Sequence, residues 1–352
     1  MDTPEIMEIR PLANFREIFF LVLALFLLLI PRWTCAHSPT LQEPKKFSTD
    51  HFLPSNQITE KFLCLEETTL SSQCLLSLAK RSAREIINVD SQNFANLFIA
   101  ISQSDLDSPN SVNQTIAKIT NPPLRGIALT YLAQLHLRQE NRRGSIYIMT
   151  KAQNFSNTSP QAYVNAWLNI LIGDLLAILG RSTDSQNFVE QALQTIPLIK
   201  EHNTRSELYA LAAQARLKNG QRTEAKEIIR TAMMEAKKVR DPYLKSLAFS
   251  FNALAYHRLG LLPYSISTQA IAEEYAQSSS LPSKVVALAF LSSIQAKTEQ
   301  VESASRSLKK TIEILSVIRS PYHRALSFAF LAQTIYFAEK ELHGTKRQVP
   351  TH

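Results

Sequence analysis

Residues 211–232 read LAAQARLKNGQRTEAKEIIRTA, and four positions of this stretch recur along the chain at intervals of 40 residues. The central position is glycine in three copies, although the whole chain contains only seven glycines. Small residues stand five residues after it, twelve residues after it and seven residues before it. The central residues are Gly180, Gly220 and Gly260. The residues five positions later are Ser145, Ser185, Ala225, Ser265 and Ser305, and those twelve positions later are Ala152, Ala192, Ala232 and Ala272, with Ile312 in the last copy. The residues seven positions earlier are Ala133, Gly173, Ala213, Ala253 and Ser293. Such a period is typical of stacked helix pairs, where small residues lie at helix crossings and glycine ends a helix, so we predict an all-α solenoid of antiparallel helix pairs.

Prolines mark where the first helix of a pair begins, because proline is tolerated in the first helical turn. Pro122, Pro242 and Pro282 share one position of the period, and Pro321 comes one residue early. The predicted pairs lie near 122–155, 160–199, 203–238, 242–277 and 282–318. On either side we predict an N-terminal helical cap at 58–121, a solvent-facing C-terminal capping helix at 319–340 and a disordered tail at 341–352.

The repeat resembles the tetratricopeptide repeat family over about residues 122–318. Leu132-Ala133, Ile172-Gly173, Gly180 with Ser185 and Ala192, and Gly220 with Ala225 and Ala232 carry the resemblance. It implies an array whose first helices line a concave groove in which partners bind. The repeat differs from the family in two respects: the unit has 40 residues rather than the family's 34, and the usual large aromatic residues are irregular. The family's carboxylate clamp has no match, so recognition of chaperone tails is not implied.

The first 36 residues are typical of a signal peptide. Residues 18–30 (IFFLVLALFLLLI) form an apolar run that ends at Pro31, and Thr34-Cys35-Ala36 offers small residues for cleavage before His37. We expect an exported protein, periplasmic or secreted. The alternative is an uncleaved inner-membrane anchor through residues 18–30, and only then do we expect membrane contact. Residues 37–57 are polar and contain prolines, as expected of a flexible spacer.

Cys64 and Cys74 would remain after cleavage, and in an oxidising compartment two such cysteines are candidates for a disulfide. On one continuous helix they would lie about 15 Å apart, too far to bond. A disulfide therefore requires a helical hairpin around the polar residues between them. The alternative is a pair of buried thiols.

Composition narrows the function. The net charge of +8 favours acidic proteins, anionic surfaces or anionic glycans as partners, although the charge also fits a role in solubility alone. The few glycines form no phosphate-binding loop, the eight histidines are scattered, and no hydrolase or metalloprotease motif occurs. We therefore predict no enzymatic activity, no cofactor and no metal. No block of basic residues interleaved with aromatic residues predicts nucleic-acid binding.

The candidate binding residues lie near the ends of the first helices. Arg138, Lys218 and Arg258 stand two residues before the central position, and Lys297 stands one residue earlier in its copy. Gln134, Asp174 and Gln214 come one turn before. Such cations beside amides fit an acidic peptide or a carboxylate, but cations also stabilise the last turn of any helix through its dipole. Trp167 is a candidate interface anchor, or else packs between repeats.

These observations predict an exported, non-enzymatic scaffold or adaptor that binds another envelope or secreted protein in its concave groove. The alternative function is an assembly factor for export of surface polysaccharide or another anionic glycan, bound by a basic groove face. Because contacts between neighbouring pairs carry the stability of a solenoid, we also expect the fold to tolerate deletion of one 40-residue unit.

Overall fold

The computed structural model describes residues 70–156 and 161–346, and within them every regular element is helical. Fourteen α-helices follow one another. They are α1 Ser72–Arg84, α2 Val89–Leu106, α3 Pro109–Ile116, α4 Pro122–Arg138, α5 Arg142–Ser156, α6 Ala162–Ile178, α7 Ser182–Thr195, α8 His202–Lys218, α9 Arg222–Lys238, α10 Pro242–Arg258, α11 Leu262–Ser278, α12 Ser283–Lys297, α13 Val301–Leu315 and α14 Pro321–Lys346. The predicted all-α array of antiparallel helix pairs is confirmed.

The even-numbered helices form an inner layer and the odd-numbered helices an outer one. Each inner helix from α2 to α12 packs along the outer helix that follows it and contacts the inner helices on either side. The inner helices are buried nearly all round, whereas α5, α9 and α13 bury one stripe. This division is what stacked pairs require, because each pair covers the apolar face of its neighbour.

The two ends of the chain meet, so the array is a closed ring of seven pairs. The last helix, α14, packs against α12 on one side and against α2 on the other, and α1 lies along it as its outer helix. Ser102 Oγ in α2 donates a hydrogen bond to the Ala329 carbonyl oxygen in α14 at 3.1 Å. The Phe98 and Phe330 rings of the same two helices lie 6.2 Å apart. The seventh pair therefore joins the last helix to the first.

Closure changes the predicted roles of the ends. Residues 319–340 do not form a solvent-facing cap, because Leu326, Phe328 and Phe330 of α14 are fully buried. The helix also continues to Lys346, past the predicted start of the tail at residue 341. Of the predicted N-terminal cap at 58–121, the described part supplies α1 to the seventh pair and forms the first pair, α2–α3. Residues 58–69 and 347–352 lie outside the described ranges.

The central position of the repeat ends an inner helix in a left-handed turn. Gly180, Gly220 and Gly260 have φ of +79°, +78° and +74°. Glu140 and Glu299 adopt the same conformation in the other two copies, at φ of +60° and +66°. The following N–H then bonds back into the helix, as from residue 221 to the residue 216 carbonyl at 3.0 Å. This is the Schellman ending for which glycine is favoured.

The last copy of the repeat is displaced by one residue. Its left-handed residue is Glu299, whereas the 40-residue period points to position 300. Counting from Glu299, the crossing positions become Ser292, Ala304 and Thr311, all fully buried. The assignment of Ser293, Ser305 and Ile312 to these positions was therefore wrong by one residue. The shift also explains why Lys297 and Pro321 come one residue early.

The middle of the ring is filled by one buried side chain from each inner helix, which in α4, α6, α8, α10 and α12 stands nine residues before the left-handed turn. They are Phe98, Tyr131, Leu171, Leu211, Phe251, Phe290 and Phe330. Phe330 contacts Phe290 with ring centroids 5.3 Å apart, and Phe290 contacts Phe251 at 5.2 Å. This buried apolar layer separates the two faces of the ring.

Candidate functional site

All inner helices run in the same direction, because an outer helix returns the chain between each inner helix and the next. Their C-terminal ends therefore lie on one face of the ring, and the residues just before the turns converge there. We call this cluster the cationic mouth. It consists of Asp105, Gln134, Arg138, Asp174, Gln214, Lys218, Arg258, Lys297 and Gln333.

One half of the mouth is organised around Asp105 at the end of α2, whose side chain is only 3% exposed. Arg138 Nη1 lies 3.4 Å from its Oδ1, and Lys297 Nζ lies 4.0 Å from its Oδ2. Gln333 Nε2 of α14 donates to the same Oδ2 at 3.2 Å. Side chains from α2, α4, α12 and α14 thus meet at one carboxylate, which is possible only because the ring is closed.

The other half is organised around Asp174 of α6. Lys218 forms an ion pair with its Oδ1, and Gln134 Nε2 lies 3.4 Å from its Oδ2. Arg258 donates a hydrogen bond to Gln214 Oε1. Its charge also interacts with those of Asp105 and Asp174, so Arg258 links the two halves. The structure therefore brings together the four cations and both glutamines that the sequence singled out.

Positive charge is in excess, since the mouth holds four basic side chains and two acidic ones. Lys297 shows the imbalance most clearly. Its side chain is 5% exposed, and its Nζ has no hydrogen-bond partner among the described residues. The ammonium lies over the Phe337 ring, 4.5 Å from the centroid, and a cation–π contact replaces only part of the lost hydration. The mouth thus offers a buried amino group without a hydrogen-bond acceptor among the described residues.

Burial moves the pKa values of the mouth toward neutrality. Burial raises the pKa of Asp105 to about 6, against the opposing effect of Lys297 and Arg138. Burial lowers the pKa of Lys218 to about 8, although Asp174 raises it, and lowers the pKa of Lys297 well below its usual value. The net charge of the mouth therefore changes between about pH 6 and pH 8, becoming more positive as pH falls.

Asp105 and Gln333 were not among the predicted site residues. They lie on α2 and α14, outside the stretch in which the 40-residue period is regular. A signal was nevertheless present: Asp105 lies in the last turn of α2, as Arg138 lies in the last turn of α4. Gln333 follows Phe330 by three residues, as Gln214 follows Leu211.

The remaining predicted residues lie elsewhere. Trp167 is fully buried in α6, where its ring packs in the core and presents no surface to a partner. Cys74 lies in the first turn of α1, but Cys64 is outside the described residues, so their disulfide stays a prediction. The predicted signal peptide at 1–36 and the spacer at 37–57 also lie outside them.

Comparison with family models, curated proteins and solved structures found no match, so the tetratricopeptide resemblance stays a prediction. None of the helices in residues 70–156 and 161–346 is long and apolar enough to cross a membrane. In the same ranges, no group of three or more His, Cys, Asp or Glu side chains is placed to hold a metal ion.

Proposed function

We propose that this protein is a non-enzymatic scaffold that holds a carboxylate group of a partner protein at the cationic mouth. The observation that carries the proposal is the gathering of four cations from α4, α8, α10 and α12 around two acids, where Lys297 finds no hydrogen-bond partner in residues 70–156 and 161–346. Removing an ion from water costs several kcal/mol, so an excess of buried cations is unfavourable unless an anion joins them.

The chemistry of the mouth fits a carboxylate. Arginine presents a planar fork that can bind both oxygens of a carboxylate, and a lysine ammonium adds a point charge. Arg138 lies toward the rim with its side chain 26% exposed, whereas Lys297 lies deeper. A carboxylate entering from this face would meet an arginine first and the unsatisfied lysine after it. The C-terminus or an acidic side chain of a protein supplies such a group.

Export is also part of the proposal, because it depends on the predicted signal peptide at residues 1–36, which lie outside the described residues. The partner is accordingly proposed to be an envelope or secreted protein. An anionic polysaccharide would also offer carboxylates. Binding of such a glycan is the competing function, and the experiment must distinguish it from binding of a protein.

The experiment is affinity capture from an envelope fraction by the purified protein. Lys297→Met removes the unsatisfied cation, and Arg143→Met removes an exposed cation of α5 as a matched control. Folding of both variants is checked by circular dichroism. A protein partner that is lost with Lys297→Met and retained with Arg143→Met supports the proposal. A partner captured equally by all three proteins contradicts it, as does recovery of polysaccharide alone that salt releases.

A further inference from the structure

A small pocket of about 120 Å³ lies on the outside of the ring, between the outer helices α1 and α3. The helix α3 has only eight residues, whereas the other outer helices have 13 to 17, so the outer layer leaves part of α2 uncovered here. The walls come from the second half of α1, the first half of α2 and the end of α3. The volume is well below the roughly 300–1,000 Å³ of small-molecule sites, so the pocket admits a single small group.

Three cations and no acidic residue line this pocket. Lys80 and Arg84 stand one turn apart on α1, and Lys118 lies across from them, just after the end of α3. Like charges four residues apart destabilise a helix by about 0.2–0.5 kcal/mol. In the described part of the chain, Lys80 reaches only Asp107, at 4.0 Å, and neither Arg84 nor Lys118 forms an ion pair. The pocket therefore carries positive charge that the protein itself does not neutralise.

Hydrogen bonds from α2 hold the walls of the pocket in place. Gln92 Nε2 donates to the carbonyl oxygens of Ala83 at 3.2 Å and Ile86 at 3.4 Å, which joins the end of α1 to α2. Asn93 Oδ1 accepts a hydrogen bond from the Thr120 N–H at 2.7 Å and fixes the connection after α3. The backbone segments that carry the cations are thus positioned before a ligand binds, which lowers the entropic cost of binding.

The floor of the pocket holds a polar side chain without a partner. Asn96 of α2 lines the pocket and is 7% exposed, and its amide forms no hydrogen bond to any described residue. The amide atoms are not fully enclosed, so a group in the pocket can reach them. Thr115 also lines the pocket, but its hydroxyl donates to Gln103 Oε1 at 2.5 Å and is already committed. A buried amide donor without an acceptor is costly, and the oxygen of an anion would satisfy it.

The helix dipole explains the cations only in part. Arg84 lies in the last turn of α1, where a cation gains about 0.3–1 kcal/mol from the dipole. That gain requires neither a second helix nor a pocket, and it does not account for the unpaired amide of Asn96 beneath the cations. Binding of an anion accounts for both observations.

We propose that this pocket binds a phosphate group. Lys80, Arg84 and Lys118 supply charge from two sides, and Asn96 donates a hydrogen bond from the floor. A phosphate monoester carries about −1.5 to −2 charges at neutral pH and three strong acceptor oxygens, so it can engage several of these side chains at once. The group is either free phosphate or the end of a larger molecule that extends outward from the ring. The pocket shares no residue with the cationic mouth, so this proposal does not rest on the function proposed there.

The test is calorimetric titration of the full chain with inorganic phosphate, glycerol 3-phosphate and acetate, in phosphate-free buffer at low ionic strength and neutral pH. We expect the phosphates to bind, and acetate to bind at least about tenfold more weakly because it has one charge and two oxygens. Tighter binding of glycerol 3-phosphate than of inorganic phosphate identifies a phosphate monoester as the ligand, and equal or weaker binding identifies free phosphate.

Variants locate the binding site. The double variant Arg84→Ala/Lys118→Ala, at two exposed side chains, should lower the affinity for phosphate about a hundredfold, roughly tenfold for each charge-assisted bond removed. The matched double variant Arg143→Ala/Lys309→Ala removes two exposed cations of α5 and α13 and should bind as the unaltered chain does. Asn96→Asp should abolish binding by placing a carboxylate beside the phosphate. Folding is checked by circular dichroism, and the exposed double variant carries the test if Asn96→Asp does not fold.

Four results would overturn the proposal. The first is that neither phosphate binds, and the second is that acetate binds as tightly as they do. The third is an unchanged affinity in Arg84→Ala/Lys118→Ala, because the phosphate would then bind elsewhere, as at the mouth. The fourth is an equal loss of affinity in both double variants, because the interaction would then depend on net charge alone.

Discussion

Ring closure by α1 is the feature whose removal should have the largest effect. Consider a truncated chain that begins at Ile87 and so lacks α1. In the structure α1 covers α14 and buries Leu75, Leu76 and Leu78. Burying a leucine stabilises a protein by about 1.5–3 kcal/mol, so the three together contribute roughly 5–9 kcal/mol as an upper bound. This is comparable with the whole stability of an ordinary domain, about 5–15 kcal/mol.

The assay is thermal and urea denaturation followed by circular dichroism. We expect the truncated chain to melt about 10 °C below the full chain, given a shift of 2–4 °C per kcal/mol for a chain of this kind. A synthetic peptide of residues 70–87 should restore part of the loss when added in trans. As a milder change, Leu76→Ala should cost about 2–5 kcal/mol, whereas Leu198→Ala, at a side chain 74% exposed, should cost less than about 0.5 kcal/mol.

The opposite result would refute the closed ring. In an open solenoid α1 would be a terminal helix that frays, so its removal would leave the melting temperature nearly unchanged and Leu76→Ala would cost little. Closure also reverses the expectation that one 40-residue unit can be deleted. Six pairs would have to close with a larger rotation per pair, and we now expect such a deletion to expose α14 and abolish cooperative unfolding.

Three further predictions concern the turns and the mouth. Glu140→Gly should raise the free energy of unfolding by about 0.5 kcal/mol, because glycine adopts a left-handed conformation without strain. Gly220→Ala should lower it by about 1 kcal/mol. Since no neighbouring atom lies within 4 Å of the added Cβ at Gly220, urea denaturation would report backbone strain alone. Binding of an acidic peptide at the mouth should strengthen as pH falls from 8 to 5, because Lys218 gains its proton below about pH 8 and Asp105 is neutralised below about pH 6; calorimetry showing no change over this range would contradict that. Lys297→Met should weaken peptide binding in the same calorimetry while the protein still folds, because Asp105 keeps Arg138 and Gln333 as partners; unchanged peptide binding would contradict the role of Lys297 in the mouth.

Local features of the fold could be predicted from the sequence because local chemistry determines them. The turn at Gly220, the close crossing at Gly173 and the starts at Pro122 and Pro242 each depend on neighbours within one helix pair. Closure depends instead on the small rotation that every pair adds, and no single residue encodes it. One signal was available: α14 is apolar on all sides around 325–332, which is typical of a helix buried on every face and not of a cap.

The candidate site was predictable in part for the same reason. Lys218 and Gln214 occupy repeated positions, so their period placed them on equivalent helix ends. Asp105 belongs to a copy whose spacing differs, and its role follows from closure, which brings α2 beside α14. The sequence could not show that residues separated by more than 200 positions, such as Asp105 and Gln333, would share a hydrogen bond.

The repeated cations at the helix ends have two explanations, stabilisation by the helix dipole and anion binding, and the energies involved distinguish them. A cation in the last turn of an exposed helix gains about 0.3–1 kcal/mol from the helix dipole, and this suffices to explain an exposed residue. The ring places the cations where that gain is outweighed, since burial of one ion costs several kcal/mol. Arg138, at the rim, is consistent with the dipole explanation, but Lys297 is not. Its side chain is 5% exposed, and its Nζ lies 4.0 Å from Asp105 and has no hydrogen-bond partner in the described part of the chain. Perturbed ionisable groups that stability does not explain are characteristic of functional sites, which makes Lys297 the residue on which the anion-binding proposal depends most.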